Sequence, residues 1–291
     1  MRWRGLRRSG NVEDRRGSGV GGGGSRIPLR IGRKGGIGGI GLIVLLVVAF
    51  VLGGPELVMN LLGGGSPTAP PESTTRAEPQ NDEAGDFARA ILGSTEDVWT
   101  AIFAAQGAQY APPQLVLFYD VVESACGTQS SQTGPFYCPT DQALYIDLSF
   151  FNDLARLGGP GDFAQAYVIG HEVGHHIQTI TGAANEVRRL QQGADQATAN
   201  RLQVAMELQA DCYAGVWANH ANQTGTLLEP GDVEEGLAAA AAIGDDHLQR
   251  NAGRRVSPES FTHGSSAQRQ RALERGLEVG GLDACDTSEL L

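Results

Sequence analysis

No C-x-x-C pair occurs among the four cysteines of this chain, which argues against a ribbon-type structural zinc site and a thioredoxin-like redox pair. No internal repeat is visible, so a solenoid or propeller is excluded. Charge is missing altogether between residues 35 and 55, and basic charge is scarce after residue 34. Ten of the 22 Lys and Arg lie in residues 1–34 with two of the 33 acidic residues, leaving 12 basic and 31 acidic residues beyond. The acidic bulk points to solubility, and no specific nucleic-acid partner is expected.

What is present begins with a Gly- and Arg-rich basic tail over residues 1–34, read as disordered. The run from Ile37 to Leu52, extended toward Leu62 through Pro55 and Glu56, supplies the roughly 20 apolar residues a membrane span needs. Residues 35–62 are therefore read as a transmembrane anchor in contact with the lipid bilayer. The basic tail places the N-terminus in the cytoplasm and the C-terminal domain outside it, extracellular or periplasmic. A cleaved signal peptide is the competing reading, but no A-x-A site follows Leu62. Residues 63–82, rich in Gly, Pro, Ser and Thr, read as a flexible linker. Residues 83–291 are then enough for one domain.

Within that domain, Val168-Ile-Gly-His171-Glu172-Val-Gly-His175-His176 carries an H-E-x-x-H core. Residues four apart share a helix face, so His171 and His175 can reach one ion while Glu172 sits beside its open position. Asp162 as N-cap, Gln165 at the capping-box position and Gly182 as stop bound the predicted helix. Gly170 and Gly174 inside it each cost about 1 kcal/mol relative to alanine. Their presence implies close approach of another element beside the metal.

Catalytic zinc usually takes three protein ligands and leaves the fourth position to water. The third candidate is Glu207, in Met206-Glu207-Leu-Gln-Ala-Asp211-Cys212-Tyr213, on a second predicted helix. Asp211, one turn later on the same face, can accept the N–H of a ligating histidine and fix its tautomer.

This combination resembles the gluzincins, in which H-E-x-x-H on one helix is completed by E-x-x-x-D on a later one. More narrowly it resembles a bacterial family of neutral zinc metallopeptidases with a basic N-terminal tail, one membrane span and an exported domain. The matching segments include Gly134-Pro-Phe-Tyr-Cys138-Pro-Thr-Asp141, His171 to His176, Glu207 to Trp217, Gly244-Asp-Asp246 and Phe261-Thr-His263-Gly-Ser-Ser266-Ala-Gln-Arg269. The resemblance implies an α+β, zincin-like fold: a small sheet packed on the active-site helix, with a mainly helical C-terminal part. It implies one Zn2+ per chain, a peptide or protein substrate, and an extended strand near the metal that receives the substrate backbone. Ala143–Leu148 is the candidate for that strand, an ordinary core strand being the alternative. His263 is the candidate donor to the oxyanion, with a structural loop role as its alternative.

Asp86 to about Gln106 reads as helical, and Leu115–Tyr119 as a strand. Cysteines 126, 138, 212 and 285 form an even set, fitting two disulfides outside the cytoplasm. Cys126–Cys138 with Cys212–Cys285 is the expected pairing, a free Cys212 or a Cys-ligated metal the alternative. Asp232 and Glu235 read as a helix cap, Asp245 and Asp246 as its polar end with the orientation of a histidine as the alternative, and His176 as the partner of a neighbouring acid. The expected reaction is peptide hydrolysis by zinc-activated water. His171, His175 and Glu207 hold the ion, and Glu172 acts as general base and then general acid. The other classes are a zinc-containing binding module without turnover, which the three-ligand set disfavours, and a zinc hydrolase acting on a non-peptide amide.

Overall fold

Alternate residues of two apolar runs face opposite ways, and this period of two divides the core. Leu115, Leu117, Leu144 and Ile146 join the main helical core, whereas Val116, Phe118, Ala143 and Tyr145 build a second cluster with Val122 and Cys138. The computed structural model describes residues 1–16, 82–223 and 227–287. Among these the elements run β1 (Val12–Asp14), α1 (Glu83–Ala105), β2 (Gln114–Phe118), β3 (Val121–Ser124), β4 (Gly127–Ser130), β5 (Phe136–Cys138) and β6 (Ala143–Asp147). Helices follow: α2 (Phe150–Leu157), α3 (Asp162–Thr181), α4 (Ala183–Gln191), α5 (Gln196–Ala221), α6 (Asp232–Ala242), α7 (Asp245–Asn251) and α8 (Ser266–Val279). The fold is α+β, with one sheet ordered β1-β2-β6-β5 and a separate β3-β4 hairpin. β1 and β6 run parallel to β2, and β5 runs antiparallel to β6.

Two expectations about local structure change. β6 lies between β2 and β5, so the residues read as a substrate-binding edge form an interior strand, and the edge on that side is β5. The sequence signal for β5 is weak because only three residues pair. Helix α3 has the expected length, but its N-cap is Gly161 and no side chain caps it; Gly182 in the left-handed region ends it as expected. Gly231, not Asp232, likewise precedes α6.

The reading of residues 1–34 as a disordered tail is corrected for residues 1–16. Met1 and Trp3 are buried in the main core, and Trp3 meets Phe87 edge to face with ring centroids 5.3 Å apart. β1 pairs with β2, the Leu115 N–H donating to the Asn11 carbonyl at 2.9 Å and the Arg15 N–H to Leu117 at 2.8 Å. Arg7 pairs with Glu96 and Asp97, Arg8 with Asp86, and Arg16 with Asp14 and Asp82. Arginine content alone reads as a solvated tail; here each of these charges has a carboxylate waiting on α1 or beside it.

The apolar run at 35–62 lies outside the described residues, as does residue 63–81 of the linker; no described helix is long and apolar enough to cross a membrane. The pairing of β1 with β2 nonetheless bears on topology. One crossing between residues 35 and 62 would put those two strands on opposite sides of a bilayer. Their shared sheet does not fit a cytoplasmic N-terminus joined to an exported domain by a single span.

The glycines of α3 have the expected reason. A Cβ at Gly170 would stand 3.0 Å from the Trp217 ring, and one at Gly174 would stand 2.9 Å from both the Cα and the carbonyl oxygen of Ala210. Both neighbours lie on α5, which the missing side chains admit to contact. Gly174→Ala gains about 1 kcal/mol of helix propensity but forces backbone apart, an overpacking cost of about 1–3 kcal/mol. A net destabilisation of up to about 2 kcal/mol is expected in urea unfolding; a variant more stable than the parent would show that the two helices tolerate separation.

Candidate metal centre

The contact at Gly174 sets α3 against α5 so that His171 and His175 on one helix meet Glu207 on the other. The His171 Nε2 lies 3.2 Å from one Glu207 carboxylate oxygen, and the His175 Nε2 lies 3.6 Å from the other. One donor atom from each of the three residues falls within 4.8 Å of the others, close enough for a single ion to touch all three.

The chemistry of this donor set fits zinc. His171 Nδ1 faces the Asp211 carboxylate at 2.8 Å, and His175 Nδ1 faces the Gln178 side-chain oxygen at 2.9 Å. Each neutral ring therefore carries its proton on Nδ1 and turns the Nε2 lone pair toward Glu207, the tautomer that metal ligation requires. Glu207 also accepts from the Gln203 amide at 3.0 Å.

Asp211 has no solvent exposure. Besides His171 it accepts from the Tyr167 hydroxyl at 2.5 Å and from Arg269 through Nε and Nη2, both at 2.8 Å. Burial alone would push its carboxyl up, but Arg269 and His171 outweigh that and hold it at about 2. His171 shows the converse: burial acts to lower it, and Asp211 with Glu207 raises it to about 10. His175 is also raised, Glu207 overcoming burial. Burial raises Glu172, more than the two histidines lower it.

Glu172 and the three donors open into a cleft of about 520 Å3 whose walls include Phe136, Tyr137, Phe150 and Leu248. His263 reaches the same cleft. Asp245 places it: one carboxylate oxygen accepts the backbone N–H of Thr262, His263 and Gly264, and the other lies 3.3 Å from His263 Nδ1. Asp245 is thus the orienting acid, and it starts α7 rather than ending α6. Among the described residues His176 has no acidic partner; its ring meets the Tyr137 hydroxyl at 3.1 Å and the Ala111 carbonyl at 2.7 Å.

The four cysteines form the expected pairs, Cys126–Cys138 and Cys212–Cys285, so Cys212 is neither free nor a ligand. Three residues of the centre had no assigned role in the sequence reading. Tyr167 stands four before His171, Gln178 follows His175 by three, and Arg269 lies in a matching segment. The helical spacing of the first two was a usable signal, whereas the approach of Arg269 depends on the packing of α8.

A family model described as "Putative neutral zinc metallopeptidase" matches residues 1–288. The uncharacterized protein YpfJ of Escherichia coli is 48% identical over 292 residues, covering 99% of this chain and 98% of that protein. The uncharacterized protein Rv2575 of Mycobacterium tuberculosis is 43% identical over 209 residues, 68% of each chain. No solved structure matches.

Without metal, Asp211 and Glu207 raise His171 to about 10, so that ring is protonated at pH 7, and Glu207 shifts His175 upward against its burial. Ligation needs both rings neutral, so metal and protons compete and affinity falls as pH falls. Calorimetry of zinc binding in buffers of different ionisation enthalpy is expected to show at least about one proton released per ion at pH 7, from His171. Release of none would mean that the rings are already neutral.

Proposed function

This chain belongs to the neutral zinc metallopeptidase family, and we propose that it is a zinc-dependent endopeptidase of zincin type acting outside the cytoplasm. The observation that carries the reading is the convergence of His171, His175 and Glu207 beneath a cleft into which Glu172 also opens. Three ligands leave a position for water, as catalytic zinc sites do.

When bound, the ion supplies Lewis acidity, lowering the pKa of bound water from 15.7 toward about 7 and polarising a carbonyl. The chain's own groups do the rest. Asp211 and Gln178 hold the Nδ1 protons and fix both rings. Glu172, whose carboxyl burial raises, takes the proton of the attacking water and returns it to the leaving amine. His263, held by Asp245, donates a hydrogen bond to the oxygen on which negative charge develops. An extended peptide adds to the outer edge of β5, where Phe136 and Tyr137 wall the cleft.

Two disulfides support an oxidising compartment. The apolar run at 35–62 is our candidate for membrane contact, and on this reading, which the pairing of β1 with β2 supports, it begins and ends on the side holding the candidate zinc domain.

Glu172→Gln is expected to bind zinc as the parent does and to lower kcat against a peptide substrate by at least about 100-fold, the lower range for a general base. Equal turnover in the two proteins would remove Glu172 from the mechanism. For topology, Gly10→Cys and Ala108→Cys, both at exposed positions, are expected to react alike with a membrane-impermeant maleimide on intact cells and spheroplasts. Labelling of residue 108 with protection of residue 10 would overturn the same-side arrangement.

A further inference from the structure

The two ligand histidines are supported differently. Behind His171 stands the charged Asp211, whereas behind His175 stands a neutral amide that can turn either end toward the ring. An amide is useful there only if something decides which end. With its NH2 group toward Nδ1, Gln178 would favour the tautomer that carries its proton on Nε2 and closes that nitrogen to a metal.

Gln178 is fully buried. Its Oε1 faces His175 Nδ1 at 2.9 Å, and its Nε2 donates to the Met206 carbonyl at 2.7 Å and to the Gln209 Oε1 at 3.1 Å. Gln209 in turn donates from its Nε2 to the Cys285 carbonyl at 3.1 Å. A backbone carbonyl can only accept, so the chain has one direction. Cys285 fixes the amino end of Gln209, which leaves its oxygen to receive Gln178. Met206 and Gln209 then fix the amino end of Gln178, leaving its oxygen to receive the His175 Nδ1 proton. Cys285 is held in place by its disulfide to Cys212, on the same helix as Gln209. Met206, the neighbour of Glu207, ties the same amide to the third ligand's helix.

We propose that Gln178 is a positioning residue for the metal ligand His175, its amide aimed through Gln209 by the backbone carbonyl of disulfide-bonded Cys285. The inference rests on the zinc reading above. Gln178 touches neither substrate nor ion; it acts by keeping the His175 Nε2 lone pair free and the ring in plane with the donor set.

The test is zinc affinity by chelator competition on the full chain, with melting of the metal-free proteins recorded alongside, for the parent, Gln178→Leu and Gln209→Leu. Loss of an orienting partner typically weakens metal binding 10- to 100-fold, and that range is expected for Gln178→Leu. Gln209→Leu, which leaves the Met206 contact, is expected to lose roughly several-fold. Nitrogen NMR of histidine-labelled parent protein loaded with zinc is expected to show the His175 proton on Nδ1. Parent affinity in Gln178→Leu, or metal on Nδ1 of His175, overturns the relay alone. A parent chain that takes up no zinc overturns the zinc reading and the relay with it. If Gln178→Leu does not fold, Gln209→Leu and the parent spectrum decide.

Discussion

A carboxylate with no access to water constrains most of this molecule. Burying an unpaired charge costs several kcal/mol, and Asp211 is fully buried, so the fold must bring it partners. Tyr167 and His171 come from α3 and Arg269 from α8, which locks three helices around one side chain. The helices meet closely enough for this because side chains are missing where they cross. Gly276 of α8, for example, has no room for a Cβ against the Cys212 carbonyl of α5. The same carboxylate fixes the tautomer of His171, so the packing requirement and the ligand requirement are met by one group.

The candidate metal centre is legible in the sequence wherever its geometry is local. His171, Glu172 and His175 share one helix, and Glu207 and Asp211 another, so spacing alone placed each set on a face. Gly170 and Gly174 announced a helix contact before any partner was known. Zinc as the implied ion rests on the family match and on a donor set that suits it.

What was missed depends on distant packing or on charge read without its partners. Arg269 reaches Asp211 only because α8 lies across α5. Ala143–Asp147 has the composition of either an edge or an interior strand, and the three-residue β5 beside it decides which. The arginines of residues 1–16 read as a solvated tail because most of their acidic partners, Asp82, Asp86, Glu96 and Asp97 among them, lie well beyond the apolar run. His176 was assigned an acid, yet a tyrosine and a backbone carbonyl satisfy it equally.

The pairing of Val12 with Leu115 has a kinetic side. β1 is synthesised before β2, its sheet neighbour among the described residues, which follows about a hundred residues later. At elongation rates of roughly 5–20 residues per second it waits about 5–20 seconds before a partner exists. Closing so long a loop adds an entropic cost that grows only slowly with length, but non-local pairing of this kind slows folding. The sheet is therefore completed late, and until then the edge of β1 that β2 will cover stands open to any other strand that reaches it.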